Sequence, residues 1–94
     1  MKSSSLLKDK YYVYVLFSLK DNKFYVGYIT DLKKRLAEHF ASKVTATKHR
    51  LPLKLLHYEF FINKGDAEAR ERFYKSGFGR EQLRKALKRT LKNI

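Results

Sequence analysis

Two short runs of aromatic and β-branched residues, Tyr11 to Phe17 and Phe24 to Ile29, stand on either side of the polar stretch Lys20-Asp21-Asn22-Lys23. Runs of that composition form strands, and the gap holds turn residues, so the sequence predicts a β-hairpin. Side chains alternate along a strand, which puts Tyr12 and Tyr14 on one face and Val13 and Val15 on the other. The first run has scarcely a polar position, so it is expected to be buried on both faces. A hairpin is marginal alone, and the rest of the chain must cover it.

Thr30 or Asp31 can cap a helix whose core stripe is Leu32, Leu36 and Phe40, ending near Phe40 or Ala41. Ser42 to Pro52 reads as a basic surface loop. A third strand follows over Leu53 to Ile62, then a short helix over Asp66 to Lys75, stopped by Ser76-Gly77-Phe78-Gly79. Arg80 to Asn93 reads as a last helix, with Leu83, Leu87 and Leu91 inward and Arg84, Lys85, Lys88, Arg89 and Lys92 elsewhere. The expected class is α+β: a small three-stranded antiparallel sheet flanked by helices, in the order β-β-α-β-α-α. Ninety-four residues support one core. That single domain is expected over residues 11–94, with 1–10 as a flexible leader whose apolar stretch is too short for a signal peptide or a membrane span.

Lysine and arginine outnumber aspartate and glutamate 22 to 9, for a net charge of +13. So much like charge opposes compaction unless a polyanion normally neutralises it, and nucleic acid is the leading partner. An anionic membrane surface competes, but no amphipathic anchor accompanies the charge. The absence of cysteine excludes disulfide frameworks, thiolate zinc sites and cysteine nucleophiles, and fits a cytoplasmic setting.

The familiar catalytic patterns are missing. His39, His49 and His57 lack zinc-site spacing, the glycines fit no phosphate loop, and no serine triad has its nucleophile elbow. Acidic residues are scattered singly except for Asp66, Glu68 and Glu71, which supports a two-metal carboxylate cage poorly. What remains is a set of polar residues in apolar surroundings. Tyr14 and Tyr25 lie on the two arms of the hairpin, and Gly27 shares the side of Tyr25, leaving an open patch beside that ring. Arg35 and His39 are four apart at the edge of the helical stripe. Glu71 puts a carboxylate on a small and aromatic face, where it needs a partner, a metal or water.

Taken in order, these residues resemble the GIY-YIG nuclease domain family. Its two tripeptides on adjacent strands correspond to Tyr12-Val13-Tyr14 and Tyr25-Val26-Gly27, followed by Asp31-Leu32-Lys33-Lys34-Arg35, His39 and the helix of Glu71. The resemblance covers nearly all of the chain after residue 10 and is nearest the small stand-alone members, often named after a repair nuclease subunit. It implies a metal-dependent DNA endonuclease, with a connection to DNA repair. Tyr25 would help activate the attacking water with Tyr14 assisting, Arg35 would hold the scissile phosphate, and Glu71 would ligate one Mg²⁺ or Mn²⁺. His39 matches a histidine found in part of the family, where it assists proton transfer. Tyr12 stands where the family has glycine, and a late asparagine of several relatives has no counterpart, since Asn93 lies too near the terminus and Asn63 too early.

Around this centre, Lys33 and Lys34, the loop residues Lys43, Thr45, Thr47, Lys48, His49 and Arg50, and Arg84 and Lys88 of the last helix are expected to contact a phosphate backbone, of DNA rather than RNA. A nucleic-acid-binding module that keeps the fold without cutting is the alternative.

Overall fold

The computed structural model describes residues 9–94. Most of the expected leader, residues 1–8, lies outside the described residues. The elements are β1 (Tyr11–Ser18), β2 (Phe24–Ile29), α1 (Leu32–Phe40), β3 (Leu53–Phe61), α2 (Lys64–Lys75), α3 (Gly77–Ala86) and α4 (Lys88–Lys92). The fold is the expected α+β arrangement, with an antiparallel sheet in the order β2-β1-β3. No described helix is long and apolar enough to cross a membrane.

β1 takes the centre because it is the strand that can be buried on both sides, and every residue from Val13 to Ser18 is buried. On one face Val13, Val15 and Phe17 join Phe24 and Val26 of β2 and pack against Ala67, Tyr74 and Leu83 of α2 and α3. On the other face Tyr14 and Leu16 pack with Leu53, and Tyr25, Ile29, Leu32 and Leu36 close round them. Opposite Leu16 the register with β3 shifts, from Val15 against His57 to Leu16 against Leu55, as a bulge.

Asp31 caps α1, its Oδ1 accepting the Lys34 amide at 3.1 Å. The buried stripe of this helix differs from the expected one. Phe40 is 46% exposed, and His39 is buried in its place. At 3.6 residues per turn, His39 falls only about 20° from Leu32 round the helix axis whereas Phe40 falls about 80° away. Burying an imidazole there is tolerated because both of its ring nitrogens find partners.

The last helix is also interrupted. Leu87, at φ −102° and ψ 22°, leaves the helical region and separates α3 from the short α4. Ser76-Gly77-Phe78-Gly79 ends one helix and begins the next: Ser76 Oγ donates to the Phe73 carbonyl at 2.6 Å and accepts the Gly79 amide at 3.0 Å. A Cβ at Gly79 would stand 1.8 Å from the Phe73 carbonyl oxygen, so this close helix-to-helix join requires glycine.

Candidate active site

The hairpin register sets Tyr14 directly across from Gly27. A Cβ at position 27 would lie 2.3 Å from Cζ and from Oη of Tyr14. Glycine therefore lets the Tyr14 ring lie across β2, and the open patch expected beside Tyr25 is filled by Tyr14 itself. The Tyr14 hydroxyl meets Nε2 of His39 at 2.8 Å, and Nδ1 of the same imidazole meets Thr47 Oγ1 at 2.7 Å. Tyr14, His39 and Thr47 are 1%, 0% and 0% exposed.

This buried chain has two proton arrangements. In one, the Tyr14 hydroxyl donates to Nε2 and the Nδ1–H group donates to Thr47. In the other, the Thr47 hydroxyl donates to Nδ1 and the Nε2–H group donates to the phenol oxygen. Burial, reinforced by the nearby Arg35 charge and opposed by Glu38, lowers the His39 pKa to about 4. The imidazole is therefore neutral at physiological pH and can accept a hydrogen bond on one ring nitrogen while donating from the other. Burial pushes the Tyr14 phenol up to about 12, with Arg35 opposing and Tyr25 adding to the rise. Tyr14 thus rests as a neutral phenol beside a neutral base.

Tyr25 completes the cluster, its ring centroid 5.2 Å from that of His39 and 6.3 Å from that of Tyr14. Arg35, one helical turn before His39, pairs with Glu38 at 3.2 Å and is about one-third exposed. The Tyr14 hydroxyl and then Glu38 raise its pKa further, so the guanidinium is permanently charged. Tyr14, Tyr25, Arg35 and His39 are thereby brought to one side of the sheet.

Glu71 approaches from elsewhere. It lies on α2, which packs on the opposite face of β1 and β2. Its carboxylate pairs with Lys75 at 2.9 Å and its side chain is 22% exposed. Burial raises the pKa of Tyr28 on that face, with Lys64 opposing and Glu68, Tyr11 and Glu71 contributing. Among the described residues no three His, Asp or Glu side chains converge as a metal cage. A lone, partly exposed carboxylate suits a hard divalent ion that keeps most of its water.

The basic loop divides into two kinds of residue. Lys43, Thr45, Lys48 and His49 are exposed, as are Lys33 and Lys34 on α1, Arg84 on α3 and Lys88 on α4. Thr47, expected at a phosphate backbone, is instead buried as the partner of His39, because the loop folds its small hydroxyl under α1. Arg50 is engaged within the chain, its Nε and Nη2 donating to the Asp21 carboxylate at 2.6 and 3.2 Å and Nη2 also to the Lys23 carbonyl at 3.2 Å. The Arg50 hydrogen bonds hold Asp21 down at about 2. Arg50, Arg80, Arg84 and Lys23 together line a groove of about 500 Å³.

Two features were not legible in the sequence. The Thr47 role depends on a loop closing over the helix, which no local spacing announces. On the far face, Glu59 accepts hydrogen bonds from Arg70 at 2.9 Å and from the Tyr74 hydroxyl and lies 2.8 Å from His57 Nε2, a polar cluster over the core.

Residues 10–85 match the family profile described as the GIY-YIG catalytic domain. The chain belongs to the GIY-YIG family. UPF0213 proteins of Streptococcus pyogenes serotype M5 (strain Manfredo) and serotype M3 (strain SSI-1) are each 47% identical over 74 residues, covering 78% of this chain and 79% of their own. The solution NMR structure of a UPF0213 protein from Bacillus halodurans is similar at TM-score 0.51 and 35% identity, covering 79% of this chain and 81% of that one. The GIY-YIG assignment carries nuclease activity as its class of function, nucleic acid as its class of substrate and, in general, a divalent ion as cofactor. The two GIY-YIG tripeptides, Tyr12-Val13-Tyr14 and Tyr25-Val26-Gly27, lie on the adjacent strands β1 and β2 and meet where Tyr14 stands opposite Gly27.

Proposed function

We propose that residues 11–94 form a metal-dependent endonuclease domain that hydrolyses phosphodiester bonds in DNA within the cytoplasm, with DNA repair as its setting. The observation that carries this reading is the buried chain of Thr47, His39 and Tyr14, ending beside Tyr25 and Arg35 on one face of a GIY-YIG fold. Arg35 would exchange Glu38 for a phosphate oxygen, since a guanidinium fork matches phosphate geometry and the present ion pair is partly exposed and weak. Tyr25 would receive the attacking water. Tyr14, held by its hydrogen bond to neutral His39, would assist Tyr25 in orienting and activating that water, and Thr47 would hold the imidazole in orientation.

β2 is an edge strand, so a phosphodiester lying along it is reachable from both faces of the sheet. Tyr25 and Arg35 would approach from one face and Glu71 from the other. Glu71, with water and phosphate oxygens, would hold one Mg²⁺ or Mn²⁺. When bound, such an ion neutralises charge developing on the phosphate and on the leaving oxygen. Lys33, Lys34, Lys43, Lys48, His49, Arg84 and Lys88 would supply phosphate contacts that fix the strand without reading its sequence.

The test is cleavage of a labelled panel of single-stranded, duplex, flap and branched DNA, with matched RNA, in Mg²⁺, Mn²⁺ or EDTA. Metal-dependent cutting that disappears in Glu71→Ala and Tyr25→Phe, with binding retained, is the expected result. Binding without cutting in either metal would replace the enzyme with a non-cleaving nucleic-acid module.

A further inference from the structure

The face of the sheet that carries Tyr14 and Tyr25 continues past them into a second, more open surface. Register pairs Tyr12 with Phe60 and Tyr14 with Tyr58, so Tyr12, Tyr58 and Phe60 all project on this side. Their rings touch: the Tyr12 centroid is 5.5 Å from that of Phe60 and 6.1 Å from that of Tyr58. Yet Tyr58 is 53% exposed and Phe60 46%. The opposite face is covered by α2 and α3, whereas here α1 closes over the β2 side and leaves the β3 rings in the open. A cavity of about 710 Å³ lies over them, rimmed by Lys10, Thr30 and Lys33. The acidic side chain on that rim, Asp31, is committed to the Lys34 amide as the cap of α1.

We propose that Tyr12, Tyr58 and Phe60 form a stacking shelf for unpaired nucleic-acid bases, next to the scissile-phosphate site. This rests on the nucleic-acid part of the function proposed above and deepens it, because it names single-stranded or locally unpaired strand as the substrate class. Three observations select this occupant. Exposed aromatic rings on a strand pair offer π-faces, which an unstacked base can match and a duplex cannot, since paired bases in a duplex already cover one another. Lys10 and Lys33 on the rim, in a chain of net charge +13, repel a basic partner and attract a phosphate backbone. Tyr12 and Tyr14 share a face two residues apart, about 7 Å along the strand. A base held on the shelf therefore lies on the same face of the sheet as Tyr25 and Arg35, at the start of the helix that carries Arg35.

The test is fluorescence anisotropy of the full chain in EDTA, where no cutting is needed for the signal. The probes are a labelled 12-nucleotide single strand as DNA and as RNA, the same DNA strand with abasic sites throughout, and the corresponding DNA duplex. The base-bearing single strands are expected to bind more tightly than the duplex, and the abasic strand to bind roughly 10- to 100-fold more weakly. Tyr58→Ala and Phe60→Ala should each weaken single-strand binding by roughly 5- to 100-fold without changing its salt dependence, and Tyr58→Phe should retain it. Preference for DNA or for RNA identifies which polymer the shelf takes. Equal affinity for abasic and base-bearing strands overturns the proposal with the unaltered protein alone, as does a dimer in sedimentation that Phe60→Ala dissolves. A chain that cuts nothing but discriminates between these probes refutes the nuclease reading and leaves the shelf standing.

Discussion

Gly27→Ala is the smallest change that tests how the site is built. A methyl group at position 27 meets three atoms of one side chain, Cζ and Oη of Tyr14 at 2.3 Å and Cε1 at 2.7 Å, against an ordinary contact of roughly 3.5 to 4 Å. A mobile ring would swing aside at little cost. Tyr14 is 1% exposed and its hydroxyl is engaged by His39, so a shift of roughly 1 Å or more breaks that hydrogen bond and presses the ring on Leu16 and Leu53. Overpacking of this kind costs about 1–3 kcal/mol, which for a domain of this size lowers Tm by roughly 5 to 20 °C. Thermal unfolding followed by far-UV circular dichroism measures it, because the chain has no tryptophan to report by fluorescence. The partner variant Tyr14→Phe removes one of the three contacts and leaves the Cζ and Cε1 clashes, so Gly27→Ala/Tyr14→Phe should remain destabilised. Tyr14→Leu has no atom at those ring positions, and in its background Gly27→Ala should cost less by about 0.5–3 kcal/mol. Cleavage by Gly27→Ala should fall at least roughly 10-fold, because the displaced phenol loses its line to His39. Unchanged Tm and unchanged cleavage in Gly27→Ala would refute the idea that Tyr14 is held in this position by packing against β2.

The remaining expectations come from the same geometry. His39 has a folded pKa of about 4 against the ordinary 6.5, so below pH 6.5 the unfolded chain binds a proton that the folded chain refuses. Stability from this group is therefore fully present above pH 6.5 and declines by roughly 3 kcal/mol as pH falls to 4; urea titrations across that window should show the fall, and His39→Gln should flatten it. Thr47→Val leaves Nδ1 of a buried imidazole without a partner at nearly constant volume, and should cost about 1–3 kcal/mol and shift the pH profile of cleavage, whereas Thr47→Ser should restore both; an unshifted profile in Thr47→Val would remove Thr47 from the proton path. Gly79→Ala sets a methyl group 1.8 Å from the Phe73 carbonyl oxygen, where backbone must move, and its Tm should fall further than that of Gly27→Ala.

The sequence by itself determined the features that rest on short-range periodicity. Strand composition over Tyr11–Phe17 and Phe24–Ile29, on either side of turn residues, defines the hairpin, and the two-residue side-chain period of a strand defines its faces. The cap of α1 comes from Asp31, whose side chain satisfies the amide three residues on, an interaction within one turn; the helix expected from Asp66 begins instead at Lys64, capped by Asn63. Family membership was legible for a related reason: the tripeptides, Arg35, His39 and Glu71 occur in order, and order survives without coordinates. The tertiary structure decided what depends on residues distant in the chain. Phe40 and His39 exchanged places because the buried arc of α1 is set by where Tyr14 and Thr47 stand. Thr47, eight residues past His39, turned inward because the loop closes over α1, and Arg50 was drawn to Asp21 across the hairpin turn. Composition marks a residue as able to hydrogen bond, and only the packed chain selects its partner, because an unpaired polar group in a dry interior costs more than the local preference that would have left it in water.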